Sequence, residues 1–290
     1  MDSAAPIGEN RYLPRCFACA AVLAVLSLLT AGSAPARGET IRISGTGGSM
    51  ETMKLLAAAF RKVHPEIHIV NLPNVGSSAA IKAVLAGALD VGVTSRPLTA
   101  DEERRGAVQH QFAITPLVIA TGPRTRASGL TTGQLAEIYA GSITTWPDGS
   151  PIRLVLRPEG DSDTLTLRRL SHDLDRALKA ALANKRMPVA MTDQDSADML
   201  ERVSGALGTV TLAQIFTEKR AVKMLSLNGV APTLESLKDG SYPLSKTLYL
   251  VTRGVPSSPA GLLVNYTRSA AGRALLSKTG HVARAGKNGS

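Results

Sequence analysis

Between Ile41 and Thr94, short apolar runs alternate with stretches whose apolar residues recur at helical spacing. The runs are Ile41 to Ser44, Ile67 to Asn71 and Asp90 to Thr94. Between them lie Ser49 to Val63, with Met53, Leu56, Phe60 and Val63 on one face, and Ser78 to Ala86. A strand–helix–strand–helix–strand order of this kind predicts an α/β fold with a mostly parallel sheet and helices on its faces. The pattern resumes with strand-like Phe112 to Thr121, helix-like Thr132 to Tyr139, strand-like Ile152 to Arg157 and helical Thr164 to Asn184. Further elements are expected at Ala206 to Thr211, Val222 to Leu227, Leu248 to Thr252 and Pro259 to Arg268. Gly122-Pro123 is the clearest breaker between the first block and the second.

Ahead of this alternation, Arg11 and Arg15 precede a charge-free apolar run, Cys16 to Leu29, and Ala34-Pro35-Ala36 has the small-x-small form of a processing site. That order reads as a secretory leader, residues 1–36, removed on export to the periplasm. The run of about 14 residues falls short of the ~20 that span a bilayer, which weighs against a membrane anchor. A lipid anchor needs a cysteine just after the run, whereas Cys16 and Cys19 lie before its core. Both cysteines of the chain sit in this leader, so the processed protein is expected to lack disulfides, thiolate nucleophiles and cysteine metal sites. About 250 residues remain, enough to bury a core as one large domain or two lobes.

The formal net charge is +10, and the leader adds nothing to it because Arg11 and Arg15 offset Asp2 and Glu9. A basic chain attracts anions and acidic surfaces. Nucleic acid is not the expected partner: aromatic residues are 3%, too few for base-stacking platforms, and the Lys and Arg are scattered.

Three segments share one design, a strand, a Gly/Ser/Thr turn and then a helix: Ser44-Gly45-Thr46-Gly47-Gly48-Ser49, Gly76-Ser77-Ser78 and Thr94-Ser95-Arg96. Unpaired N–H groups and the helix dipole make helix N-termini anion sites, and glycine permits close backbone approach. Each segment has a second reading, with Ser49 and Ser77 as plain N-caps and the glycines as plain turns. A fourth segment, Arg157 to Thr164, also precedes a helix and reads equally as a site or a cap.

Taken in order, these residues resemble the phosphate-binding proteins of bacterial ABC transporters. The resemblance rests on Gly45-Thr46-Gly47-Gly48-Ser49, Gly76-Ser77-Ser78-Ala79-Ala80-Ile81-Lys82 and Asp90-Val91-Gly92-Val93-Thr94-Ser95-Arg96-Pro97-Leu98. It continues through Leu130 to Gly141, Ile143 to Trp146, Asn228 to Thr233, Tyr242 to Leu244 and Leu248 to Thr252. It implies a type II periplasmic-binding fold: lobe one at 37–118 plus 247–285, lobe two at 119–246, and a frayed tail at 286–290. It implies ligand contacts at Ser49, the N–H of Met50, Ser77 and Ser95 in lobe one, and at Ser162, Asp163 and Thr164 in lobe two. Gly48, Ser78, Arg96, Arg157 and Asp161 are further candidates. It implies a monomer that captures phosphate or a related oxyanion, uses no cofactor or metal, and docks on a membrane permease or sensor.

The chain departs from that family where phosphate binders carry glycines: Asp161 and Asp163 flank Ser162. Two unit charges about 4 Å apart interact by ~4 kcal/mol at an effective dielectric near 20, so an unpaired carboxylate facing phosphate is costly. The two aspartates therefore cap the helix, accept a proton-borne hydrogen bond from the ligand, or meet a different ligand. Ser95 stands where the family's aspartate follows the third strand. Arg96 is open between entering the cleft and pairing with Glu102. A ligand-sensing signalling protein of the same fold, an exported hydrolase and an adhesive protein with a vestigial cleft are the competing readings. The histidines at 64, 68, 110, 172 and 281 have no metal-binding spacing, and no Gly-x-Ser-x-Gly elbow is present.

Overall fold

The computed structural model describes residues 39–184 and 186–284; the leader, both cysteines and the tail at 286–290 lie outside the described residues. Strand β1 (Thr40–Gly45) buries Ile41 and Ile43 and pairs in parallel with β2 (His68–Asn71) on one side and β3 (Val91–Thr94) on the other. Parallel neighbours need crossover connections, which are supplied by α1 (Gly47–Phe60) and α2 (Gly76–Leu85). Helix α3 (Ala100–Arg104), opened by a Thr99/Glu102 capping box, leads to the long β4 (Ala107–Thr121). Next come β5 (Gly129–Leu130), α4 (Thr132–Ala140), β6 (Arg153–Leu154), α5 (Ser162–Arg168), α6 (His172–Ala183), α7 (Asp193–Arg202) and β7 (Ala206–Thr211). The chain then forms α8 (Leu212–Glu218), β8 (Lys223–Met224), β9 (Ser226–Leu227) and α9 (Leu234–Lys238) before β10 (Ser245–Arg253), α10 (Ser258–Arg268), α11 (Ala270–Lys278) and β11 (Val282–Ala283).

The sheet runs β2-β1-β3-β10-β4-β7-β6, with β8 and β11 also on β4. It is mixed: parallel at β2-β1-β3 and β7-β6, and antiparallel around β10, β4 and β7. Strand β4 changes partner midway, pairing with β10 up to Pro116 and with β7 from Leu117. Pro116 has no N–H to donate, and Leu117 donates instead to the Leu244 carbonyl at 3.1 Å. The change divides the core. Ile41, Ile43, Met53, Leu56, Phe60, Phe112 and Leu263 pack on the first half of the sheet. On the second half, alternate residues of β4 face opposite ways: Leu117 and Ile119 join Leu135, Trp146 and Leu174, while Val118 and Ala120 join Val155, Leu200 and Val210.

Several boundaries differ from the sequence reading: α1 stops at Phe60 and leaves Val63 exposed, β4 begins at Ala107 and not at Phe112, and β10 extends to Ser245–Arg253. The single helix expected over Thr164 to Asn184 is two, because Ser171 stops the first and its hydroxyl caps the Leu174 N–H at 3.2 Å. The strand expected at Ile152 to Arg157 is only β6 plus a bridge from Leu156 to Val189. Among the described residues no helix is long and apolar enough to cross a membrane.

Candidate ligand-binding cleft

The three Gly/Ser/Thr segments converge as the topology requires, at the carboxyl ends of β1 and β3 and the start of α2. Gly76 opens α2 at φ +77°, the left-handed region that favours glycine. Facing them from the second half of the sheet are the loop Arg157 to Ser162 and the segment Met191 to Asp193. A cavity of about 530 Å³ lies between, lined by Thr46, Gly47, Asn74 to Ala79, Lys82, Ser95, Arg96, Arg157, Pro158, Gly160 to Ser162 and Met191 to Asp193.

Hydroxyls form its floor. The Ser95 N–H donates to Ser77 Oγ at 3.0 Å, and Ser95 Oγ lies 3.3 Å from Ser77 Oγ and 3.5 Å from Thr46 Oγ1. Ser95 Oγ also sits 3.0 Å from Ser162 Oγ, a contact that joins the two halves. The guanidinium of Arg157, buried at 5% exposure, closes one wall. Its Nη1 donates to the Ala190 carbonyl at 2.8 Å, its Nη2 to Asp161 at 2.9 Å and to Asp193 at 3.3 Å, while its buried Nε has no acceptor.

Beside the floor lies a charge cluster of Arg157, Lys246, Asp163 and Asp193, all buried, with the part-exposed Asp161 at its edge. Lys246 Nζ lies 2.5 Å from Asp163 Oδ1 and 3.3 Å from Asp193 Oδ1. Asp163 Oδ2 accepts from the Thr209 hydroxyl at 2.8 Å. Burial alone would raise the Asp193 carboxyl, but Lys246, Arg157, the Gly48 N–H and the Thr46 hydroxyl outweigh it and hold the group far below the usual carboxylate range. For Asp161 the balance reverses: burial and the neighbouring Asp163 charge raise its carboxyl despite Lys246 and Arg157. Burial disfavours the charged Lys246, yet Asp163, Asp193 and Asp161 more than compensate and raise its ammonium.

Of the sequence candidates, Ser77, Ser78, Ser95, Arg96, Arg157, Asp161 and Ser162 line the cavity. Ser49, Met50, Gly48, Asp163 and Thr164 do not. Ser49 is buried, and Met50 packs in the core with Met53 and Leu56. Asp163 turns inward to Lys246, and the Thr164 hydroxyl donates to the Arg157 carbonyl at 3.1 Å. Asp161 is the N-cap of α5, accepting from the Asp163 N–H at 2.9 Å. Arg96 pairs with Glu102 at 2.7 Å and holds that carboxyl down at about 2, while also reaching Ser78 Oγ at 3.1 Å.

Sequence reasoning missed Thr46, Asn74, Lys82, Met191, Thr192, Asp193 and the buried Lys246. One signal was legible: Thr192-Asp193-Gln194-Asp195 has the spacing of a helix start, and Thr192 and Asp195 form a capping box. The glycines at 47 and 48 read in sequence either as room for a ligand or as plain turns; in the fold Gly47 makes room for this helix start, since a Cβ there would run into the Gln194 carboxamide.

A mixed sheet divided in two, with helices on its faces and a polar cleft at its strand ends, is the architecture of the type II periplasmic-binding fold. Residues 29–272 match the PBP superfamily domain, and the chain belongs to that family. It is 24% identical over 251 residues to the phosphate-binding protein PstS of Bacillus subtilis, covering 81% of this chain and 78% of that one. A Clostridium perfringens substrate-binding protein with bound phosphate has the same fold, with a TM-score of 0.73, 21% identity, and 85% and 100% of the two chains covered. An ABC-type phosphate transport receptor from Vibrio cholerae superposes with a TM-score of 0.61 at 20% identity, over 84% and 99% of the two chains.

Proposed function

We propose that this protein is an exported solute-binding protein that captures phosphate, or a closely related oxyanion, for an ABC-type uptake system. The observation that carries the reading is the convergence of Thr46, Ser77, Ser95 and Ser162 with the Arg157 guanidinium and the N-terminus of α2 around one cavity. Hydroxyls, a helix N-terminus and a guanidinium are the kinds of donor that an oxyanion requires. Phosphate is the ligand named for the Bacillus subtilis relative, which favours it over other oxyanions.

The two halves act as lobes, 37–118 plus 247–285 and 119–246, with their crossings near Pro116–Leu117 and Leu244–Ser245. Closure is a hinge motion that the ligand favours by touching both sides. The reading is one of capture: the cleft offers hydroxyls and a guanidinium suited to holding an oxyanion, and the Bacillus subtilis relative is named as a binding protein. Residues 1–36 act as a cleaved signal peptide, and the processed protein works as a periplasmic monomer that presents its closed form to a membrane permease.

Thermal unfolding of the processed protein against phosphate, sulfate, molybdate, phosphonates, carboxylates and amino acids tests this. A ligand that binds only the folded state at 100 times its Kd adds about 2.7 kcal/mol. Phosphate is expected to raise Tm and sulfate to do so far less. A shift with an amino acid or carboxylate and none with phosphate refutes the assignment.

A further inference from the structure

The N-terminus of α1 is already occupied by an anion of the protein's own. Thr46 is the N-cap residue, yet its side chain makes no capping bond within the helix. The capping is done instead by Asp193, from a segment 145 residues away: its Oδ2 accepts from the Gly48 N–H at 2.7 Å and from the Thr46 hydroxyl at 3.0 Å. Its Oδ1 faces Arg157 and Lys246, each at 3.3 Å. A backbone N–H at a helix start, a hydroxyl, a guanidinium and an ammonium form the donor set of an oxyanion site. The neighbouring Gln194 ties the same two segments together, with Nε2 donating to the Gly47 carbonyl at 3.1 Å and Oε1 accepting from Asn74 at 3.0 Å. Gly47 leaves the space into which the Gln194 carboxamide fits.

We propose that Asp193 is a tethered counter-anion that fills the oxyanion position on α1, clamps the two halves of the protein together with Gln194, and must be displaced before a ligand oxyanion engages the Gly48 N–H. The inference rests on the anion-binding reading of the cleft. It places the ligand's first contacts at Ser77, Ser95 and Ser162, and it makes Asp193 a determinant of affinity: the site binds more weakly than its donors permit.

The test is Asp193→Asn in the processed protein, followed by two readouts. The first needs no ligand. Gly48 is in the first turn of α1, where the helix itself offers its N–H no acceptor, so its amide exchange reports the Asp193 contact directly. Exchange at Gly48 is expected to quicken and the radius of gyration in solution scattering to increase. The second is calorimetric titration with inorganic phosphate. Loss of one charge-assisted competitor is expected to tighten Kd by about tenfold to a hundredfold. Unchanged Gly48 exchange overturns the proposal, and so does quickened exchange with weaker phosphate binding, which would make Asp193 a ligand contact. Quickened exchange with no phosphate binding by either protein leaves the clamp standing and overturns the phosphate reading. Should Asp193→Asn fold poorly, Gln194→Ala cuts the Gly47 and Asn74 bonds, keeps all five charges of the cluster, and is read by the same exchange and scattering. Wild-type values there overturn the clamp.

Discussion

Replacing Asp163 by the glycine that phosphate binders carry tests whether the buried charge cluster is structural. If Asp163 faced the ligand, Asp163→Gly would relieve repulsion and strengthen phosphate binding. The structure predicts a different outcome. Asp163 is 2% exposed, lies 2.5 Å from the Lys246 ammonium and accepts the Thr209 hydroxyl. Its loss leaves Lys246, itself 3% exposed, with only the longer contact to Asp193. Breaking a buried pair from one side costs about 3–5 kcal/mol. The stranded Thr209 hydroxyl adds about 1 kcal/mol, and glycine in the first turn of α5 adds roughly 0.5–1 kcal/mol. The sum, about 5 kcal/mol, is a large share of the 5–15 kcal/mol typical of a folded protein. At about 2–4 °C per kcal/mol for a chain of this size, Tm should fall by on the order of 10–20 °C. Urea and thermal unfolding measure this directly. The double variant Asp163→Gly/Lys246→Met removes one charge of each sign and should recover much of the loss. A single variant that loses less than about 1 kcal/mol, or a double variant as unstable as the two singles combined, would falsify the account.

Two further outcomes follow from the same geometry. Ser77→Ala removes a hydroxyl that accepts from the Ser95 N–H on the cleft floor, and phosphate Kd by calorimetry should weaken by about 1 kcal/mol, roughly five- to tenfold; an unchanged Kd removes Ser77 from the site. His281 is 1% exposed, and burial, only partly offset by hydrogen bonding of the ring to the Leu276 and Thr279 backbone, which favours the charged form, lowers its imidazole from 6.5 to about 4. The unfolded chain therefore binds a proton that the fold refuses, so stability is lost as pH falls from 6.5 towards 4 and this contribution is complete below that, by about 3 kcal/mol. His281→Leu should flatten the fall in stability between pH 7 and 5, and parallel profiles for the two proteins would show that His281 is not responsible.

Much of the first half was legible in sequence because local patterns and tertiary demands agree there. The β-branched runs of β1 and β3 and the apolar residues of α1 up to Phe60 and of α2 are buried as their patterns mark, whereas β2 is only half-buried and Val63, beyond the end of α1, is 60% exposed. The resemblance places Ser77, Ser95 and Ser162 near a ligand, and turns at strand ends converge in such a sheet. Helix α7 was overlooked because its ten residues, Asp-Gln-Asp-Ser-Ala-Asp-Met-Leu-Glu-Arg, carry almost no apolar stripe; Ala197 and Leu200 are its buried anchors. In sequence Asp163 reads as a ligand contact or a cap and Lys246 carries no signal, since nothing in either segment shows that the other lies 2.5 Å away.

The sequence by itself determined the alternation of strands and helices, the hydroxyl-rich turns and the family, because these depend on residues within a few positions of one another. Only the tertiary structure decided which carboxylates face the cleft, which are caps and which are buried partners. Asp161, Asp163 and Asp193 have the same chemistry, and their roles differ through what folding brings to them: Arg157, Lys246, and the unpaired Gly48 N–H at the start of a helix 145 residues away. A charge's effect depends on its burial and its partners within a few ångströms, and both are set by contacts between distant parts of the chain.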